Sequence, residues 1–246
     1  MVHPGTLLKA SFNAGKDFFR PSLADSAPVF VAPRALSVSI MVPIRSIGPS
    51  HGSRIAAHLL ALSPQDRYLR FGYSANDEQI GRYVDGLNFE RDEIFGIYNR
   101  KLELIAMAHL AFSTDPALKS CAEFGVSVLA HARGRGYGAR LFDRAVMHSR
   151  NEGVEMMFIH ALSENTAMLN IARKAGATVE RDGSETEAYL KLLPADLDSR
   201  MTELLEEHMA QTDYRLKVQA RQFWNFLALL QEVRRGVRGS RDRMQL

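Results

Sequence analysis

Cysteine is nearly absent: Cys121 is the only one in 246 residues, which excludes an intrachain disulfide framework. It reads as a small strand residue rather than a reactive thiol. Long apolar runs are missing too, and none approaches the roughly 18–20 residues of a membrane span. The leader lacks the charged region, apolar region and cleavage site of a secretory signal, so a cytoplasmic location is expected. A basic body is also lacking. The net charge is +3, yet Arg234, Arg235, Arg238, Arg241 and Arg243 stand against Asp242 alone in the final segment. The rest of the chain is therefore slightly acidic, and a nucleic-acid-binding core is not expected.

What remains is ordinary for a globular protein, at 46% hydrophobic and 24% charged residues. The length suits one sizeable domain with extensions. The chain is organised around residues 122–140, Ala-Glu-Phe-Gly-Val-Ser-Val-Leu-Ala-His-Ala-Arg-Gly-Arg-Gly-Tyr-Gly-Ala-Arg. This reads as a strand, a glycine-rich turn and a helix start. Phe124, Val126 and Val128 fall on one strand face, and Glu123, Gly125 and Ser127 on the other. Glycines at such a junction let backbone N–H groups approach a phosphate closely. A Walker loop does not fit, because no Lys-Ser/Thr follows. A dinucleotide fingerprint does not fit either: Gly134, Gly136 and Gly138 have the wrong spacing, and much chain precedes the strand.

Arg133-x-x-Gly136-x-Gly138 resembles the pyrophosphate loop of the GNAT superfamily of N-acetyltransferases. A second motif follows the apolar strand Met156–Leu162. Asn165, Met168, Ile171, Lys174 and Gly176 resemble the superfamily's Asn-x-x-Ala/Met-x-x-Leu/Ile-x-x-Lys-x-Gly helix, with Ser163 as a cap and Gly176 as a stop. One departure is Ala172, where many members carry a tyrosine that protonates the leaving thiolate. Glu123 before Val-x-Val, the helix without tyrosine, and Leu62-Ser-Pro-Gln-Asp-Arg-Tyr-Leu-Arg-Phe71 are most similar to bacterial protein-lysine acetyltransferases. The resemblance spans roughly residues 40–193.

In chain order, residues 1–36 form a proline-punctuated irregular leader. Residues 37–193 form the acetyltransferase domain, 194–235 a C-terminal helical extension and 236–246 a basic tail. The expected order is a strand over Val38–Ile47, three short helices, a hairpin of Glu93–Asn99 with Leu102–Phe112, and a turn at Thr114. There follow strand Cys121–Leu129, helix 136–151, strand 155–162, helix 164–175 and strands near Thr178–Arg181 and Ala188–Leu193. This is an α/β layout, the GNAT fold, with a mixed and mostly antiparallel sheet flanked by helices. Tyr68, Arg70 and Phe71 are candidates for the acceptor wall, Tyr68 and Phe71 reading more simply as core. Residues 197–235 read as one helix. Leu216, Ala220, Phe223, Leu227 and Leu230 form its apolar seam, which packs on the chain's own domain or forms a homodimer.

The resemblance implies acetyl transfer from acetyl-CoA to an amine, with no metal. A lysine ammonium (pKa about 10.4) must lose a proton before it attacks, so a base is required. Glu123 is the candidate, in an expected apolar setting that would raise its pKa. His160 is a reserve base, more simply a core histidine; His109 and His131 are weaker. Val126 and Val128 would hold the pantetheine arm through their backbone. Arg133, Gly134, Arg135, Gly136, Tyr137, Gly138 and Ala139 would cradle the pyrophosphate, and Asn165 would contact the coenzyme. Lys174 faces a phosphate or solvent. With Ala172 in place of tyrosine, the thiolate takes its proton from water, from Ser163 or from no specific group. The expected acceptor is a protein lysine. The alternatives are a small amine, or a non-catalytic acyl-CoA-binding regulator.

Overall fold

In a computed structural model of the chain, the structure describes residues 42–113, 120–182 and 185–243. The leader, residues 38–41 of the expected first strand, the turn at Thr114 and the end of the basic tail lie outside the described residues; of residues 42–47 only Arg45–Ser46 form a strand. Seven strands form one sheet: β1 (Arg45–Ser46), β2 (Glu93–Tyr98), β3 (Leu104–Phe112), β4 (Cys121–Val128), β5 (Met156–Leu162), β6 (Thr178–Asp182) and β7 (Glu185–Lys191). The spatial order is β1-β2-β3-β4-β5-β7-β6. Every pair is antiparallel except β4 with β5. The helices are α1 (Gly52–Leu60), α2 (Pro64–Phe71), α3 (Asp77–Asp85), α4 (Tyr137–Asn151), α5 (Thr166–Lys174) and α6 (Leu197–Arg243). This is the expected mixed α/β sheet of the GNAT fold.

Local chemistry sets the helix ends. Ser63 caps α2 by accepting from Asp66 N, and Asn76 and Gln79 form a reciprocal capping box on α3. Arg67 then ties the first three helices together. Its guanidinium donates to the carbonyls of Leu60 (2.7 Å), Leu62 (3.2 Å) and Ala75 (3.2 Å) and to Asp77 (2.6 Å).

The alternation on β4 places the core. Phe124 packs with α4, where its ring meets Phe142 edge-on at 5.1 Å between centroids. The opposite sheet face carries a second cluster with Ile55, Leu59, Ile80 and Met107. Glu123, Gly125 and Ser127 thus look toward α1–α3, as the strand period predicts.

Two further boundaries differ from expectation. β7 begins at Glu185 because the alternation Thr186, Ala188, Leu190, all buried, starts with a threonine rather than an apolar residue. α6 continues to Arg243, through Gly236 and Gly239. The expected seam on α6 is not covered: Leu216 and Phe223 are exposed, and the side chains of Leu227 and Leu230 lie outside the described residues. α6 docks instead through the buried Ala210, through Tyr214 against Tyr98, and through polar groups. Arg144 on α4 is 3% exposed and meets Glu203 and Glu207 at 3.4 and 3.3 Å, and His148 Nδ1 lies 2.6 Å from Glu203.

Candidate active site

β4 and β5 run parallel only from Cys121–Met156 to Glu123–Phe158. Beyond that point β4 stays bonded to β3 alone. Leu129 N donates to Ile105 O. Alternation along an antiparallel ladder therefore turns the N–H and C=O groups of Val126 and Val128 to the β5 side, where no strand pairs with them. The chain has opened its own sheet there, and an extended ligand can add as a strand would.

A cavity of about 420 Å³ continues from this opening, lined among others by Val126, Val128, Arg133, Gly134, Gly136, Tyr137, Gly138, Ala139 and Asn165. Gly134 (φ 76°) and Gly136 (φ 74°) hold left-handed backbone, which other residues adopt at a cost. Gly136 is the N-cap of α4 and makes no side-chain cap bond, so the first N–H groups of a 15-residue helix face the cavity without one. At Gly138 a Cβ would stand 3.3 Å from Ile171 Cδ1, a tight approach. Free helix amides beside an unpaired strand edge fit a pyrophosphate joined to an extended amide-bearing arm.

The expected arginines divide. Arg133 lends its backbone to the cavity, but its guanidinium pairs with Asp66 on α2 at 2.5 Å and donates to Val128 O at 3.2 Å. Arg135 is exposed and does not line the cavity. Lys174 is exposed and lines neither this cavity nor the next, so it faces solvent. Ala172 is fully buried, and Ile171 rather than Ala172 faces the cavity. Asn165 caps α5 by accepting from Met168 N at 3.2 Å.

A second cavity, of about 720 Å³, adjoins the first and is lined by Arg70, Phe71, Glu123, Gly125, His160, Glu180 and Glu187 among others. Glu123 stands in it, but exposed rather than buried among apolar neighbours. The burial expected for it is absent, because helices α1–α3 leave this end of the β4 face uncovered. His160 is likewise exposed, with its ring 3.8 Å from Glu187, and is not a core histidine. Phe71 and Arg70 reach the wall, whereas Tyr68 does not. His131 is exposed and lines neither cavity.

Two polar arrangements on the Glu123 face of β4 were not legible in the sequence. His58 is 2% exposed; its Nδ1 bonds Leu104 O and its Nε2 bonds Ser127 Oγ, both at 2.8 Å. Burial pushes the imidazole down to about 4, so it is neutral, donates from Nδ1 to the carbonyl and accepts from the serine. The second arrangement joins Arg70, Tyr83, His109 and Asp92. Burial, the Arg70 charge opposing it too, holds His109 below its ordinary value despite Asp92. Both sets join residues far apart in the chain; the β3–β4 register sets the first, and the β2–β3 and β3–β4 registers together set the second.

Among the described residues no group of three or more His, Cys, Asp or Glu side chains could hold a metal ion. No described helix is long and apolar enough to cross a membrane. A larger groove of about 780 Å³ lies between residues 100–103 and α6. It lacks the glycine loop, the open strand edge and Glu123.

Residues 58–177 match the model of the acetyltransferase (GNAT) family. Among curated proteins none matches the sequence. Several solved structures are similar in fold. The GNAT domain of S. lividans PAT shares 19% identity at a TM-score of 0.52, covering 61% of this chain and 89% of that one. Ribosomal-protein-alanine N-acetyltransferase from Brucella melitensis shares 15% identity at 0.50, covering 61% of this chain and 99% of that one. The acetyltransferase of GNAT family from Streptococcus pneumoniae shares 10% at 0.50, covering 61% and 98%.

Proposed function

This chain carries a domain of the GNAT acetyltransferase family, and from that premise we propose that it transfers the acetyl group of acetyl-CoA to a protein lysine, with Glu123 as general base. The observation that carries the reading is the meeting of two cavities along β4, one at the glycine loop and one at Glu123. Family members use acetyl-CoA as co-substrate. Its pyrophosphate would lie on the amides of Gly134 to Ala139, and its pantetheine arm along Val126 and Val128. Acetyl-CoA supplies an activated thioester; the residues of this chain supply position and a proton acceptor.

The acceptor cavity is lined by the carboxylates Glu123, Glu180 and Glu187. Such a wall attracts an ammonium group. The lysine then gives its proton to Glu123, directly or through one water, and the neutral amine attacks. The exposure of Glu123 suits this role, since the proton must leave to solvent after each turnover. The similarity of Leu62–Phe71 to bacterial protein-lysine acetyltransferases supports a protein acceptor. A small amine is the second reading, favoured by walls on both sides of the acceptor cavity, Leu69 to Gly72 and Thr186 to Glu187.

The test is mass spectrometry of a denatured, chemically de-acetylated proteome incubated with acetyl-CoA and either wild-type protein or Glu123→Gln. New lysine acetylation dependent on Glu123 is expected. No enrichment over the variant, with acetyl-CoA binding intact, would overturn the protein-lysine assignment and direct the search to small amines.

A further inference from the structure

The two cavities share Leu69, Arg70, Val126, Asn165 and Met168 in their walls. Arg70 is the one ionisable side chain among these. Its guanidinium lies directly over Gly125, where a Cβ would stand 2.6–2.7 Å from Cζ and both terminal nitrogens. Glu123, Gly125 and Ser127 follow on one strand face at about 7 Å per step. Glu123 lines the acceptor cavity, Ser127 lines the donor cavity, and the guanidinium sits between them.

A hydrogen-bond chain holds it there. Asp92, with its side chain 3% exposed, takes Nε and Nη2 of Arg91 at 2.6 and 2.8 Å. A carboxylate accepts only, so His109 Nε2 carries the hydrogen toward it, at 3.2 Å. His109 Nδ1 then accepts from the Tyr83 hydroxyl at 2.7 Å. The Tyr83 oxygen in turn accepts from Arg70 Nη2 at 3.0 Å. The polarity of every link follows from the aspartate at one end and the arginine at the other. This chain occupies one nitrogen of Arg70. Among the described residues no carboxylate pairs with the rest, and the guanidinium keeps a donor edge facing the cleft.

We propose that Arg70 is a catalytic residue whose free N–H edge binds the thioester carbonyl oxygen and the oxyanion that develops on it, and that Tyr83, His109 and Asp92 are positioning residues for that guanidinium. The inference rests on the acetyl-transfer reading above. The amine lone pair forms the C–N bond while the carbonyl π pair moves to oxygen, beside Arg70. Glu123, having already passed the ammonium proton to water, takes the second proton from the attacking nitrogen and releases that to water too. The oxygen pair re-forms C=O, the C–S bond breaks, and sulfur leaves with its electrons and takes a proton from water. Arg70 keeps its charge throughout. A fixed cation beside the amine also favours its neutral form.

Infrared difference spectroscopy with acetyl-CoA isotope-labelled at the acetyl carbonyl tests this without an acceptor. Calorimetry on the same samples reports binding. On the wild-type protein the carbonyl stretch is expected to shift to lower frequency. Most of that shift should vanish in Arg70→Gln and shrink in Tyr83→Phe, with acetyl-CoA still bound. Gly125→Ala is the second variant. Gly125 has no positive φ, so alanine is tolerated by the backbone while its methyl displaces the guanidinium, and the shift should be lost again. With an acceptor in hand, Arg70→Gln should lower kcat about 10²–10³-fold at unchanged KM for acetyl-CoA. An unchanged carbonyl shift in a bound Arg70→Gln or Gly125→Ala complex overturns the role of Arg70 and leaves the acetyl-transfer reading standing. A wild-type protein that does not bind acetyl-CoA overturns that reading itself.

Discussion

His58 Nε2 accepts the Ser127 hydroxyl at 2.8 Å on the same face of β4 that carries Glu123. The pair is buried, and it fixes α1 to β4 from the side opposite α4.

It also predicts a pH dependence of stability. His58 falls from an ordinary 6.5 to about 4 in the folded chain. Between those values the unfolded chain binds a proton here that the folded chain does not, so stability falls as pH drops through the window. The effect is on the order of 3 kcal/mol. Urea unfolding at pH 7.5 and pH 5 should show a lower midpoint at pH 5, and His58→Gln should flatten the difference. Equal slopes in both proteins would contradict the assignment.

Gly136 and Gly153 provide a matched pair. Both have left-handed backbone, φ 74° and 78°, with nothing within 4 Å of an added Cβ. Alanine at either should cost about 1–2 kcal/mol in folding. Only Gly136→Ala should also weaken acetyl-CoA binding, about tenfold, because only Gly136 belongs to the loop. Calorimetry on both variants checks the contrast.

Much of this was legible in the sequence. The strand, glycine turn and helix of residues 121–151 follow from local period and punctuation, whereas the cap of α5 differs from expectation: Asn165 takes it, not Ser163. What failed to show was long-range. The exposure of Glu123 depends on where α1–α3 stop covering β4. The seat of Arg70 over Gly125 needs the packing of α2 on β4. The chain Tyr83–His109–Asp92 needs the β2–β3 and β3–β4 registers together. None of these is encoded in a window of neighbouring residues. Arg133 misled for a related reason: its partner Asp66 lies on another element.

The docking of α6 depends on Arg144. Removing a nearly buried guanidinium leaves Glu207 without its cation and Glu203 with His148 alone, at a cost of about 3 kcal/mol. Arg144→Gln should raise hydrogen exchange across residues 199–214 and leave acetyl-CoA affinity unchanged. His148 adds a pH term. Burial lowers its pKa, but the bond and charge of Glu203 outweigh this and raise it above 6.5. Its contribution is complete below 6.5 and is lost as pH rises through the raised value, so exchange in α6 should increase toward alkaline pH.

Glu123→Gln removes the proposed proton acceptor and little else, since the side chain is exposed. Turnover with an identified acceptor should drop about 10²–10⁴-fold, with an unchanged dissociation constant for acetyl-CoA. Unaltered turnover would move the role to another group, of which His160 lines the same cavity.

The central claim is that the opening between β4 and β5 receives acetyl-CoA, and amide hydrogen exchange with and without acetyl-CoA addresses it most directly. Protection should appear at Val126 and Val128, whose amides have no strand partner, and across Gly134 to Ala139. Protection confined to the groove beside α6, or none at all, would contradict the account.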